Sequence, residues 1–147
     1  MRFLTPAGPV WASVDPEGRI TAFGFGESAR AAGDSPALAR QVDEYFRGDR
    51  TDFDLPLAPN GTDFQKRVWD ELRRIPYGEV ISYKELARRV GSPGASRAVG
   101  RANATNPVAL IIPCHRVIGA DGTLTGYAYG VGIKRLLLDH EGARRIR

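Results

Sequence analysis

From Thr62 onward the chain is cut into short helices by its own capping residues, and that punctuation limits what it can build. Thr62 and Gln65 have the spacing of a capping box, after which Phe64, Val68 and Leu72 fall on one face until Pro76-Tyr77-Gly78 stops the helix. Ser82 with Glu85 repeats the box ahead of Leu86, Ala87 and Val90, and Gly91 terminates that helix. A third helix is expected from about Ala95 to Ala104, after the turn Ser92-Pro93-Gly94, and Ile133, Leu136 and Leu137 mark the face of a final one. The second and third, joined by a short Gly- and Pro-containing turn, have the dimensions of a helix-turn-helix. Two helices packed in any small α domain would read the same way.

The first part of the chain has a different rhythm. Val10 to Val14 and Arg19 to Phe25 alternate around Asp15-Pro16-Glu17-Gly18, which predicts a β-hairpin. Leu38, Val42, Tyr45 and Phe46 then recur at helical spacing before Gly48, giving a helix to cover that sheet. Asp49 to Gly61, with Pro56, Pro59 and Asn60-Gly61, reads as a linker. The 147 residues suffice for one compact domain or two small ones.

Charge separates the same two parts. Residues 1–58 carry six arginines and no lysine against nine carboxylates, whereas residues 59–147 carry fifteen basic against eight acidic side chains. A basic half suits a polyanion such as nucleic acid, although a solvated basic face gives the same count. No run of eighteen apolar residues occurs and Met1-Arg2-Phe3-Leu4-Thr5 has no export signal, so neither a membrane span nor secretion is expected. A single cysteine fits a reducing compartment.

That cysteine, Cys114, lies in the basic half within Ile111-Ile112-Pro113-Cys114-His115-Arg116-Val117. It has no disulfide partner in the chain, and the neighbouring imidazole and guanidinium are expected to lower its pKa and make it a nucleophile. A buried cysteine is also a good small core residue, and on a strand Cys114 and His115 would point to opposite faces. Both readings stand on local sequence alone.

The residues together resemble the O6-alkylguanine-DNA alkyltransferases, also called methylated-DNA-protein-cysteine methyltransferases. The resemblance rests on Phe64-Gln65, Arg74 through Tyr83, Ser96-Arg97-Ala98-Val99-Gly100, Asn106-Pro107, Pro113-Cys114-His115-Arg116-Val117, Gly126-Tyr127 and His140-Glu141-Gly142, in order and at the right spacing. It implies a mixed α/β protein: a small ribonuclease-H-like α/β N-terminal domain over residues 1–58, with a linker to about 61, and a mainly helical domain with a helix-turn-helix over residues 62–147. It also implies a DNA-repair protein that flips O6-alkylguanine out of the duplex and transfers the alkyl group irreversibly to Cys114, each molecule acting once.

The resemblance assigns roles residue by residue. Cys114, His115 and Glu141 match a relay in which the imidazole takes the thiol proton through a water and the carboxylate steadies the imidazolium. Tyr83 matches a hydroxyl donor to the base, and Asn106 an asparagine bracing the turn before the cysteine. Arg97 matches the finger that fills the gap left by the extruded base, with Ser96, Ala98, Gly100, Arg101 and Arg116 as further DNA contacts. Backbone groups at Val117 and Ala128, the ring of Tyr127 and the amine of Lys134 complete the implied pocket.

Asn103 and Ala104 stand where members of the family often carry a larger apolar residue and a phosphate-contacting arginine, which would shift groove contact onto Arg101. Ala128 stands where serine is common. With one cysteine and no Cys/His cluster, neither a metal nor another cofactor is expected. The implied partner is duplex DNA containing O6-alkylguanine, with O4-alkylthymine as a second lesion, bound by a cytoplasmic monomer, nucleoid-associated if its source is prokaryotic, with no membrane contact. The alternatives are a non-catalytic lesion sensor similar to the alkyltransferase-like proteins, which replace the cysteine, and a helix-turn-helix regulator, for which the small second helix offers little base readout.

Overall fold

The computed structural model describes residues 1–144 as two compact units: Met1–Asn60 with Pro107–Ile111, and Gly61–Asn106 with the chain from Ile112 onward. Residues 145–147, part of the expected second domain, lie outside the described residues. The architecture is mixed α/β, with five α-helices and two small sheets among the described residues.

In the first unit, β1 (Arg2–Thr5), β2 (Gly8–Val14) and β3 (Ile20–Phe25) form an antiparallel sheet in that order. β2 and β3 are the alternating hairpin, closed by Asp15, whose carboxylate accepts the backbone N–H groups of Glu17 and Arg19. β1 gave no signal because four residues are too few for a period to emerge. Helix α1 (Pro36–Arg47) starts where the Ser35 hydroxyl accepts from Leu38 N–H and ends at Gly48, which has φ +83°. It buries Leu38, Val42 and Tyr45, each contributing about 1.5–3 kcal/mol on complete removal from water.

Two segments depart from expectation. The stretch read as a linker is tied down: Leu55 is buried, the Gln41 amide exchanges two 2.9 Å bonds with the Asp54 backbone, and Ile20 N–H donates to Pro56 O at 2.8 Å. Pro107–Ile111 joins the first unit beside β3, with Phe23 N–H donating to Pro107 O and Ala109 N–H to Phe23 O. Apolar burial and backbone pairing override the proline punctuation in both.

The second unit contains α2 (Asp63–Leu72), β4 (Ile81–Ser82), α3 (Tyr83–Arg89), α4 (Ser96–Ala104), a 3-10 turn (Cys114–Arg116), β5 (Val117–Ile118) and α5 (Val131–His140). The capping box at Thr62 forms in full, with reciprocal Thr62–Gln65 bonds of 2.9 and 3.1 Å. Val68, Trp69 and Leu72 face inward, and Trp69 Nε1–H donates to Ala102 O at 2.8 Å, tying α2 to α4. Gly61 is required by that packing, since a Cβ there would lie 2.5 Å from the indole.

At Ser82 only half of the expected box exists. The hydroxyl accepts from Glu85 N–H at 3.0 Å, but the Glu85 carboxylate turns to Arg88 and Arg89, whose hydrogen bonds hold it at a pKa of about 2. β4 and β5 pair in parallel, Ile81 with Val117 and Ser82 with Ile118, so the start of α3 is fixed beside the segment that follows Cys114. Helix α5 presents Lys134, Leu137 and Leu138 inward and leaves Leu136 exposed, so its buried face is rotated from the Ile133, Leu136, Leu137 face expected. No described helix is long and apolar enough to cross a membrane.

Candidate active site

Cys114 opens the 3-10 turn, and its side chain is buried. A short helical turn therefore replaces the strand whose alternation would have separated it from His115. Cys114 N–H and the Asn106 amide both donate to Ile112 O at 2.8 Å, and the Asn106 side chain also hydrogen-bonds the thiol. Burial pushes the thiol pKa up, opposed by that bond and by the charge of Lys134. The expected depression by imidazole and guanidinium is thus corrected: desolvation wins, and the resting group is the thiol.

His115 is fully buried, with Nε2 2.8 Å from Glu141 Oε2. Glu141 is held well below the ordinary carboxylate range: its own burial would raise it, but His115 and the two-point grip of Arg116 outweigh that. An ionised carboxylate only accepts, so Nε2 must carry the hydrogen. Burial also lowers the His115 pKa, against the pull of Glu141, which leaves a neutral ring at pH 7 with its lone pair on Nδ1. Nδ1 is buried and has no protein partner.

Arg116 was expected on DNA, and the structure places it elsewhere. It is 6% exposed, bonds Glu141 through Nε at 2.8 Å and Nη2 at 3.1 Å, donates to Ile75 O at 2.7 Å and lies over the ring of Tyr77. Every arm of the guanidinium is used internally, so Arg116 holds the carboxylate rather than phosphate. Tyr77, whose hydroxyl donates to His140 O, belongs to the helix stop and to the family motif in the sequence, but neither assigns it a role at this cluster.

Lys134 is fully buried and donates to Val117 O at 2.6 Å and Thr125 O at 2.8 Å, its pKa pulled down to about 8 by desolvation. Tyr83 donates to the same Thr125 carbonyl at 3.3 Å. Thr125 was not foreseen, since a carbonyl carries no residue-type signal. Tyr127 has a buried hydroxyl with no partner and packs edge-on to Tyr129, while Ala128 is exposed between Gly126 and Gly130, both at positive φ.

Helix α4 divides cleanly. Ser96, Arg97 and Arg101 are exposed, Ala98 and Gly100 partly so, and Val99, Ala102 and Asn103 are buried. Asn103 therefore does not lie on the exposed face where its departure was expected to alter groove contact; its Nδ2 reaches Cys114 O at 3.5 Å. No group of three or more His, Cys, Asp or Glu side chains gathers to hold a metal among the described residues.

A buried thiol followed by a neutral base, whose tautomer an ionised carboxylate fixes, is the apparatus of a protein that works through a cysteine nucleophile. The family model for the 6-O-methylguanine DNA methyltransferase, DNA binding domain, matches residues 63–143. The chain is 48% identical over 150 residues to a methylated-DNA–protein-cysteine methyltransferase of Methanosarcina acetivorans, covering 96% of each. The structure of Mycobacterium tuberculosis OGT in complex with DNA is similar at a TM-score of 0.88 and 44% identity, over 96% of this chain and 91% of that one. That of S. pombe Atl1 in complex with damaged DNA containing O6-carboxymethylguanine is similar at a TM-score of 0.51 and 34% identity, over 58% of this chain and 81% of that one. The chain belongs to the 6-O-methylguanine-DNA methyltransferase family.

Proposed function

We propose that this protein repairs O6-alkylguanine in duplex DNA by taking the alkyl group irreversibly onto Cys114, once per molecule. The observation that carries the reading is the buried Nδ1 of His115, without a protein partner, in the residue that follows a buried thiol, with Nε2 2.8 Å from Glu141 Oε2. In the transfer, the thiol proton passes through a water to Nδ1 and the sulfur attacks the alkyl carbon. The S–C bond forms as the C–O6 bond breaks, its electron pair goes to guanine O6, and the base finishes by taking a proton at N1. Glu141 stabilises the imidazolium, and Lys134 adds positive charge near the thiolate.

The raised thiol pKa makes substrate entry part of the activation. Tyr83, whose long bond to Thr125 O is easily exchanged, donates to the flipped base. Asn106 holds the turn through Ile112 O, and Tyr127 and the backbone at Val117 and Ala128 line the purine pocket. α3 and α4 serve as the helix-turn-helix, entering the minor groove with the small, exposed side of α4, and Arg97 fills the space left by the base while Ser96, Ala98, Gly100 and Arg101 lie along the backbone. The first unit is read as a ribonuclease-H-like support. The protein works as a monomer in the cytoplasm, at the nucleoid if its source is prokaryotic.

Intact-protein mass spectrometry after incubation with a duplex carrying one O6-methylguanine, followed by peptide mapping, tests this. A single methyl on Cys114 is expected. Lesion binding without modification would move the reading to a sensor, which the likeness to the Atl1 structure favours as the second possibility.

A further inference from the structure

The chain has three asparagines, and the fold treats them differently. Asn103 and Asn106 are buried and are followed by Ala104 and Pro107, the second of which has no N–H. Asn60 is exposed, precedes Gly61 and lies outside every helix and strand. This Asn-Gly step has no task in alkyl transfer.

An asparagine side chain can swing its amide carbon onto the backbone nitrogen that follows it. Ring closure needs a nitrogen not engaged by an acceptor and an amide free to turn, and a following glycine helps because no Cβ blocks the approach. Among the described residues, neither the Asn60 side chain nor the Gly61 N–H has a hydrogen-bond partner. The neighbouring donors are occupied: Ala58 N–H donates to Ile20 O and Thr62 N–H to Gln65 Oε1, both at 2.9 Å. The one Asp-Gly step of the chain, Asp121-Gly122, is held in the opposite way. Gly122 N–H donates to Gly119 O at 2.9 Å, and the Asp121 carboxylate accepts from Thr123 N–H at 3.1 Å and Thr123 Oγ1 at 2.7 Å.

We propose that Asn60 is a self-modification site, at which the folded chain deamidates through a cyclic succinimide. The Gly61 nitrogen gives up its proton to base and attacks Asn60 Cγ; the N–Cγ bond forms, the Cγ–Nδ2 bond breaks and ammonia leaves. Water then opens the imide at either carbonyl, leaving aspartate or, in larger amount, isoaspartate, whose main chain runs through Cβ and Cγ. Water is the only reagent consumed.

The isoaspartyl product disturbs the fold by its length. It adds a methylene to the main chain immediately before Gly61, which packs so tightly on the Trp69 indole that a Cβ would lie 2.5 Å from it. Trp69 donates to Ala102 O at 2.8 Å and so ties α2 to α4, the helix that carries the exposed Arg97. Ordinary aspartate brings the charge without the extra atom, and a negative charge ahead of the first turn of α2 is favourable.

The test ages the full chain at mildly alkaline pH, folded and in denaturant. Peptides are mapped for the amide-to-acid mass change and for isoaspartate by labelling with a protein-isoaspartate methyltransferase. Asn60 should convert in the folded protein within roughly threefold of its unfolded rate, as expected where no bond must open first, while folding should slow isomerisation at Asp121 about tenfold or more. Asn60→Gln, whose longer side chain closes a ring far more slowly, should remove the reaction. Folding that protects Asn60 as strongly as Asp121, or conversion of Asn103 or Asn106 ahead of Asn60, would overturn the proposal. Aged protein enriched in the isoaspartyl form by ion exchange should melt below Asn60→Asp, which has the same charge on a normal backbone; equal melting temperatures would overturn the link to Trp69.

Discussion

Glu141 joins His115 to Arg116: one carboxylate oxygen meets the imidazole at 2.8 Å, and both oxygens meet the guanidinium. The arginine keeps the carboxylate ionised, and the carboxylate keeps the imidazole in the tautomer whose free lone pair can take a proton. Glu141→Gln breaks both functions. Transfer to Cys114 should fall by about 10² to 10⁴, the range for loss of effective acid–base assistance. The stranded Arg116 charge should lower stability by about 3–5 kcal/mol. Single-turnover kinetics and denaturant melts measure the two separately, and a variant with wild-type rates would remove Glu141 from the relay.

The same cluster fixes the acid limb of stability. The pKa of His115 lies below its ordinary value of 6.5, so as pH falls from there the unfolded chain binds a proton that the folded one resists. Glu141 is depressed below its ordinary 4.5, so further down the unfolded carboxyl again protonates first. Both contributions are present above those unfolded values and are lost as pH drops. Melting temperature should therefore decline in two stages below about pH 6.5, and His115→Gln should flatten the upper stage. An unchanged slope between pH 7 and 5 would show that His115 does not titrate in this way.

Lys134→Met should slow transfer roughly tenfold at neutral pH, because the positive charge that opposes the rise of the Cys114 thiol pKa is lost. Val117 O and Thr125 O would also lose their donor. Lys134→Arg should not rescue the rate, because a planar guanidinium does not fit a fully buried site shaped around a compact amine. Thiol labelling against pH reads the shift directly, and a variant whose labelling curve overlays that of the wild type would rule out electrostatic support by this lysine.

Arg97 is exposed at the start of α4. Arg97→Ala should slow repair of duplex far more than reaction with free O6-benzylguanine, since only the duplex must have a base extruded at a cost of a few kcal/mol. Equal losses on the two substrates would count against a role in flipping.

Local signals in the sequence were dependable where local physics decides. Thr62 with Gln65, Gly48 after α1 and the Asp15 turn each satisfy their own backbone groups, so their spacing carried through to the structure. Glu85 failed as a capping partner because two arginines a turn away compete for its carboxylate, which spacing alone cannot rank. Arg116 was misread for a related reason. A basic residue in a basic half suggests DNA, while its pairing with Glu141 spans 25 positions and exists only after folding. The desolvation that raises the Cys114 pKa and the contact of Asn103 with Cys114 O are likewise products of burial rather than of residue order. The pairing of His115 with Glu141 was legible only through family resemblance, since nothing local links position 115 to 141.

Burial of Cys114 bears on the life history of the molecule. A group that reacts once has no second chance, and any encounter with a stray oxidant or electrophile spends it as surely as the intended lesion does. By keeping sulfur protonated and covered until a base arrives, the fold stores an unfired charge. The working capacity of a population of such proteins is then the number of copies that remain unspent, and the slow resting chemistry of the thiol sets their shelf life.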